Sequence, residues 1–324
     1  MLNKNSKIAF VFPGQGSQSK GMLSSIAKIY PIIQETFEEV SDTLNFNAWQ
    51  LVQENPQDKL NQTQYTQPLL LAGSVSLWRL WSTLCELKPI VLAGHSLGEY
   101  SALVSGASLS LADASRIVFK RGELMQKAVP KGVGAMAAVV GLEPKIIDEV
   151  CAKLSKPGAI VSSANYNSLN QTVIAGHMQA VEACMYALQS LGAKRVIKLS
   201  VSVPSHCSLM KEMANLFGQF LQDFKFKAPI IPVVHNVDLS SPISDAAIKE
   251  ALKLQLYSPV RWLETVELLV QSKLEYIVEC GPGQILCGLN KRIAPKSVQC
   301  VTISEPENIE ALLNTMLSGG QSCL

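Results

Sequence analysis

Short apolar runs alternate with amphipathic stretches along most of the chain. Runs typical of buried strands occur at 7–12, 90–93, 230–234, 276–279 and 298–303. Apolar residues at helical spacing lie between them, most clearly at 32–44 and 68–84. Strands that alternate with helices predict a parallel sheet covered on both faces, so we predict an α/β fold whose large domain is α/β hydrolase-like.

The segment from 134 to 199 has a different order of elements. Its pattern predicts strand, helix, strand, strand, helix and strand at 135–140, 144–154, 160–164, 172–175, 179–191 and 195–199. This β-α-β-β-α-β order is typical of a ferredoxin-like module. We therefore predict a small ferredoxin-like domain, residues 130–199, inserted into a large α/β domain formed by residues 1–129 and 200–324. A cleft between them is the expected place for a small ligand.

A serine between two glycines, Gly94-His95-Ser96-Leu97-Gly98, follows the apolar run 90–93. A strand that turns sharply into a helix needs glycines where the backbones crowd, and such a turn exposes the serine Oγ. The N-terminus of the next helix would lie beside the negative charge that develops on an attacked carbonyl. This pattern predicts acyl transfer through Ser96. The alternative is that Ser96 has only a structural role, in a tight strand-to-helix connection.

A serine nucleophile needs a base, and the chain has four histidines. His95 adjoins the serine but points elsewhere on a turn, so a structural place suits it better. We expect His177 to face solvent in a turn of the small domain, while His235 ends an apolar strand and is a second candidate to line the cleft. We assign the base to His206.

The assignment of His206 depends on its neighbours. Pro204 ends a strand, and Ser205 is predicted to cap a new helix. His206 would then lie on the first helical turn and face inward with Leu209 and Met210. A helix N-terminus disfavours the imidazolium and leaves the ring able to accept a proton. The alternative is a core histidine that only packs.

Arg121 lies on the wrong side of its helix for an ordinary arginine. The helix begins after Ser110 and carries a polar stripe formed by Arg116, Lys120, Glu123 and Lys127. Arg121 instead shares the core-facing stripe with Ile117 and Met125. A buried guanidinium must be paired, either with a carboxylate of the protein or with a carboxylate of the substrate. The second option suits the forked donor geometry of arginine.

Composition narrows the range of functions. The chain has 324 residues, is 48% hydrophobic and 17% charged, and has a net charge of +2. It can bury a large core, and its weak, scattered charge predicts no nucleic-acid partner. The short apolar stretch near the start does not fit a secretory signal, and no run of about 18 apolar residues occurs, so we predict no membrane partner and a cytoplasmic location.

The sequence contains no clear pattern for a metal or cofactor site. Eight cysteines lack a C-x-x-C pair and are expected to be reduced core thiols. With only four histidines we expect no metal site. The glycines of the loop 13–18 do not fit the dinucleotide or P-loop patterns.

Several segments in order resemble the malonyl-CoA:acyl carrier protein transacylases of fatty acid synthesis. They are 10–18, 66–68, 94–100, 120–122, 134–136, 201–207 and 255–260. The resemblance covers nearly the whole chain. It implies transfer of malonyl from malonyl-CoA to the phosphopantetheine thiol of acyl carrier protein through a malonyl-serine ester. Malonyl-CoA and acyl carrier protein would be the partners, with no cofactor beyond the CoA thioester itself.

The resemblance also implies a role for each matching residue. Ser96 would be acylated, His206 would be the base and then the acid, and Arg121 would bind the malonyl carboxylate. The backbone N–H groups of Leu97 and Gln15 would form the oxyanion hole. The backbone carbonyl of Gln255 would orient His206, so that a Ser-His dyad replaces a triad. Segments 168–171 and 281–284 differ from the family pattern and leave the contacts to CoA and carrier protein open.

Three alternatives remain at this level. An acyltransferase acting in trans in polyketide assembly would use the same site. A serine esterase or thioesterase of the α/β-hydrolase type shares the elbow, but its histidine usually comes late in the chain, and no histidine follows His235. A non-catalytic docking subunit of a synthase would keep the elbow only for its fold, and the presence of both His206 and Arg121 argues against it.

Overall fold

A computed structural model describes residues 7–130, 132–200 and 203–318. The strands are β1 Ile8–Phe12, β2 Val91–Gly94, β3 Gly134–Val140, β4 Val161–Ser168, β5 Gln171–His177, β6 Arg195–Lys198, β7 Val233–Val234, β8 Tyr276–Glu279 and β9 Gln299–Thr302. The helices are α1 Ser24–Ala27, α2 Ile32–Leu44, α3 Ala48–Glu54, α4 Thr63–Leu84, α5 Gly98–Ser105, α6 Leu111–Ala128, α7 Pro144–Leu154, α8 Met178–Ser190, α9 Lys211–Phe220, α10 Asp245–Gln255, α11 Trp262–Gln271, α12 Ile285–Ile293 and α13 Pro306–Ser318. Short 3-10 turns occur at Pro56–Asn61, Ser208–Met210 and Leu221–Asp223.

Two separate sheets confirm the predicted α/β class. One is parallel, with strand order β7-β2-β1-β8-β9. Every residue of its central strand β1 is fully buried, because helices cover both faces. The other sheet is antiparallel, with order β4-β5-β3-β6, the order of a ferredoxin-like module, and its strands lie between residues 134 and 198. The boundaries at 129/130 and 199/200 stay predictions.

The carboxyl ends of β1 and β2 lie side by side. Phe12 is in register with Gly94, and the N–H of His95 donates to the Phe12 carbonyl at 2.9 Å. A Cβ on Gly98 would lie 2.0 Å from that same carbonyl oxygen, and a Cβ on Gly94 would lie 1.9 Å from the carbonyl carbon of Gly98. Only glycine fits at either position. The elbow is therefore packed directly against the loop that follows β1.

Several predicted boundaries were wrong. Helix α4 begins at Thr63, five positions before the predicted start at Pro68, which lies inside the helix. The predicted strand 230–234 is reduced to Val233–Val234, because Ile230 is 70% exposed and Pro232 has no N–H for a ladder. Two residues of the resemblance segment 201–207, Val201 and Ser202, lie outside the described residues. One of the eight cysteines, Cys323, also lies outside them. In the described ranges, no helix is long and apolar enough to cross a membrane.

Candidate active site

Ser96 lies at the tip of the turn between β2 and α5. Its φ is 53°, in the left-handed region that non-glycine residues rarely adopt. Its backbone N–H donates to Asn236 Oδ1 at 2.8 Å, and its carbonyl accepts from Gln255 Nε2 at 2.9 Å. The half-buried Oγ is thereby turned toward the two groups that the sequence had singled out, His206 and Arg121.

His206 is within hydrogen-bond distance of the serine. Its Nε2 lies 2.8 Å from Ser96 Oγ, and its Nδ1 lies 2.8 Å from the Gln255 carbonyl. Because a carbonyl only accepts, Nδ1 carries the proton and Nε2 of the neutral ring is free to accept from the serine hydroxyl. Burial, followed by the nearby Arg121 cation, lowers the pKa of His206 to about 3. The ring is therefore neutral at physiological pH.

The predicted helical setting of His206 was wrong. The residue has φ 61° and precedes the 3-10 turn Ser208–Met210, whose N-cap is Cys207 with no side-chain cap bond. Ser205 caps no helix. The N–H of His206 instead donates to the Leu256 carbonyl at 3.0 Å. Contacts with the backbone of residues 255 and 256 hold His206 in place. Burial, and not a helix N-terminus, keeps its ring neutral.

Arg121 is 1% exposed and contacts the serine directly. Its Nη1 donates to Gln67 Oε1 at 2.9 Å, and its Nη2 donates to Gln255 Oε1 at 2.9 Å and to Ser96 Oγ at 3.2 Å. The guanidinium also lies 5.6 Å from the ring centroid of Tyr100.

No carboxylate pairs with Arg121 within residues 7–130, 132–200 and 203–318. Its Nε is buried and has no hydrogen-bond partner there. Burial lowers the pKa of this guanidinium. The nearby Tyr100 and Glu99 raise the same pKa, but by less. Neutral amide oxygens accept from its Nη1 and Nη2 without cancelling its charge. A buried cation beside the serine thus remains available to an anionic group of a ligand.

Gln255 contacts each of the other three residues. Its backbone carbonyl accepts from His206, as the resemblance implied, while its side chain accepts from Arg121 and donates to the Ser96 carbonyl. The side-chain contacts were not foreseen, because the sequence gives no sign of which face of α10 meets the elbow.

Gln15 and Leu97 lie on the two loops that meet at the elbow. A Cβ on Gly14 would lie 2.5 Å from the His95 carbonyl oxygen, so the loop after β1 packs against the turn. The Gln15 side chain donates to Thr63 Oγ1 at 3.2 Å. Among the residues that the structure describes, no acceptor takes the backbone N–H of Gln15 or of Leu97.

The other histidines have structural surroundings. His95 Nε2 lies 2.9 Å from Asn167 Oδ1 and its ring packs on Trp262, in line with a structural place. His177 was expected to face solvent, but it ends β5 half-buried and its Nδ1 accepts from the N–H of Ile160. His235 is fully buried, with Nδ1 3.0 Å from Glu99 Oε2, and does not line a cleft.

Sequence reasoning missed two amide side chains at the site, Gln67 and Asn236. Gln67 was noted only as part of the segment 66–68, and Asn236 was not noted. Asn236 lies two residues beyond the end of the short strand β7, at the carboxyl edge of the parallel sheet, and that position is the only signal that could have indicated it. For a metal, the described residues hold no group of three or more His, Cys, Asp or Glu side chains that could bind one.

The chain is similar over most of its length to known proteins of one family. The family described as "Acyl transferase domain" matches residues 9–292. The chain is 48% identical over 307 residues to the malonyl CoA-acyl carrier protein transacylase of Salmonella typhimurium, covering 95% of this chain and 99% of that protein, and 47% identical to that of Escherichia coli K12 over the same shares.

Solved structures give the same result. The malonyl CoA-acyl carrier protein transacylase of Coxiella burnetii superposes with a TM-score of 0.93 at 42% identity, covering 96% of this chain and 98% of that one. A malonyl-transacylase solved in complex with the acyl carrier protein of a type II polyketide synthase superposes with a TM-score of 0.92 at 45% identity, covering 96% and 100%.

Proposed function

This chain belongs to the acyl transferase family, among the malonyl CoA-acyl carrier protein transacylases, and we propose that Ser96 carries the malonyl group between CoA and carrier protein. The enzyme is an [acyl-carrier-protein] S-malonyltransferase, and its substrates are malonyl-CoA and acyl carrier protein. The observation that carries the choice of malonyl is the buried Arg121 guanidinium, which has no carboxylate partner among the described residues and lies 3.2 Å from Ser96 Oγ.

In the first half-reaction, Ser96 Oγ attacks the thioester carbonyl while its proton passes to His206 Nε2. The tetrahedral intermediate then collapses, the C–S bond breaks, and the CoA thiolate takes the proton from His206. The neutral tautomer of His206, fixed by the Gln255 carbonyl, supports the base role, because Nε2 is free to accept. A malonyl-serine ester and free CoA result.

The second half-reaction repeats these steps with a different thiol. His206 removes the proton from the phosphopantetheine thiol of the carrier protein, and the sulfur attacks the malonyl-serine carbonyl. Collapse of the intermediate breaks the bond to Ser96 Oγ, which recovers its proton from His206. No electrons enter or leave, and we propose that no metal or redox cofactor takes part.

Arg121 selects the acyl group by its distance from the nucleophile. In malonyl, a single methylene separates the free carboxylate from the reacting carbonyl, so the carboxylate must bind close to Ser96 Oγ. Arg121 Nη2 lies within hydrogen-bond distance of that oxygen. A bound carboxylate would replace neutral partners by a charge-assisted pair in a desolvated site.

The backbone N–H groups of Leu97 and Gln15 are proposed to bind the oxyanion. Both lie on loops packed at the elbow, and neither has an acceptor among the described residues. Donors that are fixed before the reaction stabilise the developing charge without reorganisation. The cytoplasmic location stays a prediction of the sequence.

Mass spectrometry of the intact enzyme after mixing with malonyl-, methylmalonyl-, acetyl- and succinyl-CoA tests the proposal. We expect malonyl to be bound covalently at Ser96 and to leave on addition of a phosphopantetheinylated carrier. Release as free malonate, with no transfer to the thiol, would instead identify a hydrolase. Comparing carrier proteins of fatty acid and of type II polyketide synthesis in the same assay decides between those two carriers.

A further inference from the structure

We propose that Asn236 is a positioning residue for the nucleophile: its side-chain amide holds the elbow in the conformation that aims Ser96 Oγ at His206. The inference rests on the proposed function, since it assumes that Ser96 is acylated. It adds a residue on a different strand to the machinery of the reaction.

The Asn236 amide binds the backbone on both sides of residue 95. Its Oδ1 accepts from the N–H of Ser96 at 2.8 Å, and its Nδ2 donates to the carbonyl of Gly94 at 2.8 Å. One planar group therefore fixes the last carbonyl of β2 and the N–H of the nucleophile at once. Among side chains of this length, only asparagine offers an acceptor and a donor in this arrangement.

These two bonds continue the parallel ladder where the strand itself has ended. Leu92 and Ala93 of β2 pair with Val233 and Val234, and β7 stops there. The residues that follow β7 turn away from β2. Without the Asn236 side chain, the Gly94 carbonyl and the Ser96 N–H would therefore lose these partners. Buried backbone groups without partners are costly, so the Asn236 side chain takes the place of the missing strand.

The elbow needs such support because it is strained. Ser96 has φ 53°, a left-handed conformation that costs a non-glycine residue about 1 kcal/mol or more. It persists only if the surroundings hold it there. Asn236 binds the N–H of Ser96, while Gln255 Nε2 and the N–H of Glu99 bind its carbonyl. Both peptide groups of the nucleophile are thus fixed, and only Oγ faces the site.

Asn236 is itself held rigidly. It is fully buried, its N–H donates to Glu99 Oε1, and its carbonyl accepts from the N–H of Arg261 at 3.4 Å. The other oxygen of the buried Glu99 carboxylate contacts His235 Nδ1 at 3.0 Å. Glu99 lies in the first turn of α5, one turn beyond Ser96. The pair Glu99 and His235, which touches no reacting atom, therefore fixes Asn236 relative to the helix that follows the nucleophile.

The test compares Asn236→Ala with Asn290→Ala. Asn290 is also fully buried, and its Oδ1 accepts from Trp262 Nε1 at 3.0 Å, so its loss removes a buried amide of the same size from helix α12. For Asn236→Ala we expect the rate constant of Ser96 acylation by malonyl-CoA, measured by rapid quench per folded molecule, to fall about 100-fold, since small displacements of reacting groups have effects of that size. The KM for malonyl-CoA should stay within about twofold, because Arg121 is untouched.

Asn236→Asp is the second variant, and it decides the question if Asn236→Ala does not fold. It keeps the size and the acceptor for the Ser96 N–H but replaces the donor by a buried carboxylate oxygen that opposes the Gly94 carbonyl, so we expect a loss at least as large, about 100-fold. Acylation within twofold of wild type in the folded Asn236→Asp or Asn236→Ala enzyme would overturn the inference. So would an equal loss in Asn290→Ala, which would reduce Asn236 to a residue of general stability. Failure of the proposed function is seen separately, as absence of malonyl from Ser96 in the wild-type enzyme.

Discussion

Ser96 and His206 both have left-handed backbone conformations, with φ 53° and 61°, and their side chains meet at 2.8 Å between Oγ and Nε2. Neither residue is a glycine, so each conformation is unfavourable in itself. The side chains of Asn236 and Gln255 hold the first, and the backbone of residues 255 and 256 holds the second. The reacting pair is therefore assembled by two strained turns from distant parts of the chain.

Replacing Ser96 by alanine should abolish covalent labelling of the enzyme by malonyl-CoA, because no other hydroxyl contacts His206 Nε2 among the described residues. Labelling is measured on the intact protein by mass spectrometry. Ser101→Ala is the matched control, since Ser101 lies on helix α5 directly after the elbow, is buried, and has an Oγ with no hydrogen-bond partner among the described residues. It should label fully. Labelling that persists in Ser96→Ala would refute the assignment of the nucleophile.

Arg121→Ala should separate malonyl from acetyl transfer. Loss of the cation removes the partner of the malonyl carboxylate, and we expect kcat/KM for malonyl-CoA to fall about 100-fold or more, whereas acetyl transfer holds or rises. Arg116→Ala is the control on the same helix, where the arginine is exposed and pairs with Asp113 at 3.2 Å. It should leave both rates unchanged. Equal losses for both acyl groups in Arg121→Ala would contradict a carboxylate-binding role.

Gln67→Glu should act as an internal competitor of the substrate. Gln67 Oε1 accepts from Arg121 Nη1 at 2.9 Å, so a glutamate there would place a carboxylate against the buried guanidinium and neutralise it. We expect KM for malonyl-CoA to rise about 10-fold or more, with acetyl-CoA much less affected. Gln67→Leu is the control, because it removes the same bond without adding a charge. If both variants raise KM for malonyl-CoA alike, neutralisation of Arg121 is not the cause.

The rate of acylation should stay independent of pH far into the acid range. His206 must be neutral to act as a base, and its pKa is lowered to about 3 by burial and by Arg121. The acid limb of kcat/KM should therefore fall well below the ordinary histidine value of 6.5. Initial rates of malonyl transfer to a small thiol across this range provide the measurement. An acid limb centred near 6.5 would show that the ring is not desolvated in the working enzyme.

The same pKa predicts how stability depends on pH. Because the folded pKa lies below the unfolded value, the unfolded chain binds more protons between pH 6.5 and 3. The contribution of His206 to stability is complete above 6.5 and is lost as pH falls toward 3, at about 1.4 kcal/mol for each pH unit. We therefore expect the free energy of unfolding of wild type minus that of His206→Ala, measured in urea, to fall as pH is lowered through this window. A constant difference would contradict the shift.

The elbow glycines should tolerate no side chain. In Gly98→Ala the new Cβ would lie 2.0 Å from the Phe12 carbonyl oxygen, so we expect a loss of about 3 kcal/mol or more in the free energy of unfolding, or no folded protein. Gly288→Ala is the control, because that helical position has open space around it and should gain about 1 kcal/mol. Thermal or urea unfolding compares them. A stable Gly98→Ala enzyme would contradict the close approach of α5 to β1.

Elements with a clear period were predictable from the sequence. Helix 32–44, helix 144–154 and strand 276–279 have the predicted bounds. Strand β4 was predicted to end at 164 but extends to Ser168, because the polar residues at its end are buried by tertiary contact, Asn167 against His95 among them. Bulges in β4 further break its alternation. Local patterns do not reveal polar residues that the fold buries.

The sequence by itself determined that a serine stands at a strand-to-helix elbow and that Arg121 faces the core, because glycine spacing and helical period are local properties. Only the tertiary structure decided what surrounds them. The amides Gln67 and Asn236 bind Arg121 and Ser96 across 54 and 140 positions of sequence. The proton on His206 Nδ1 follows from a carbonyl 49 positions away. Burial and hydrogen-bond partners set charge, tautomer and direction, and these arise only when distant segments pack together.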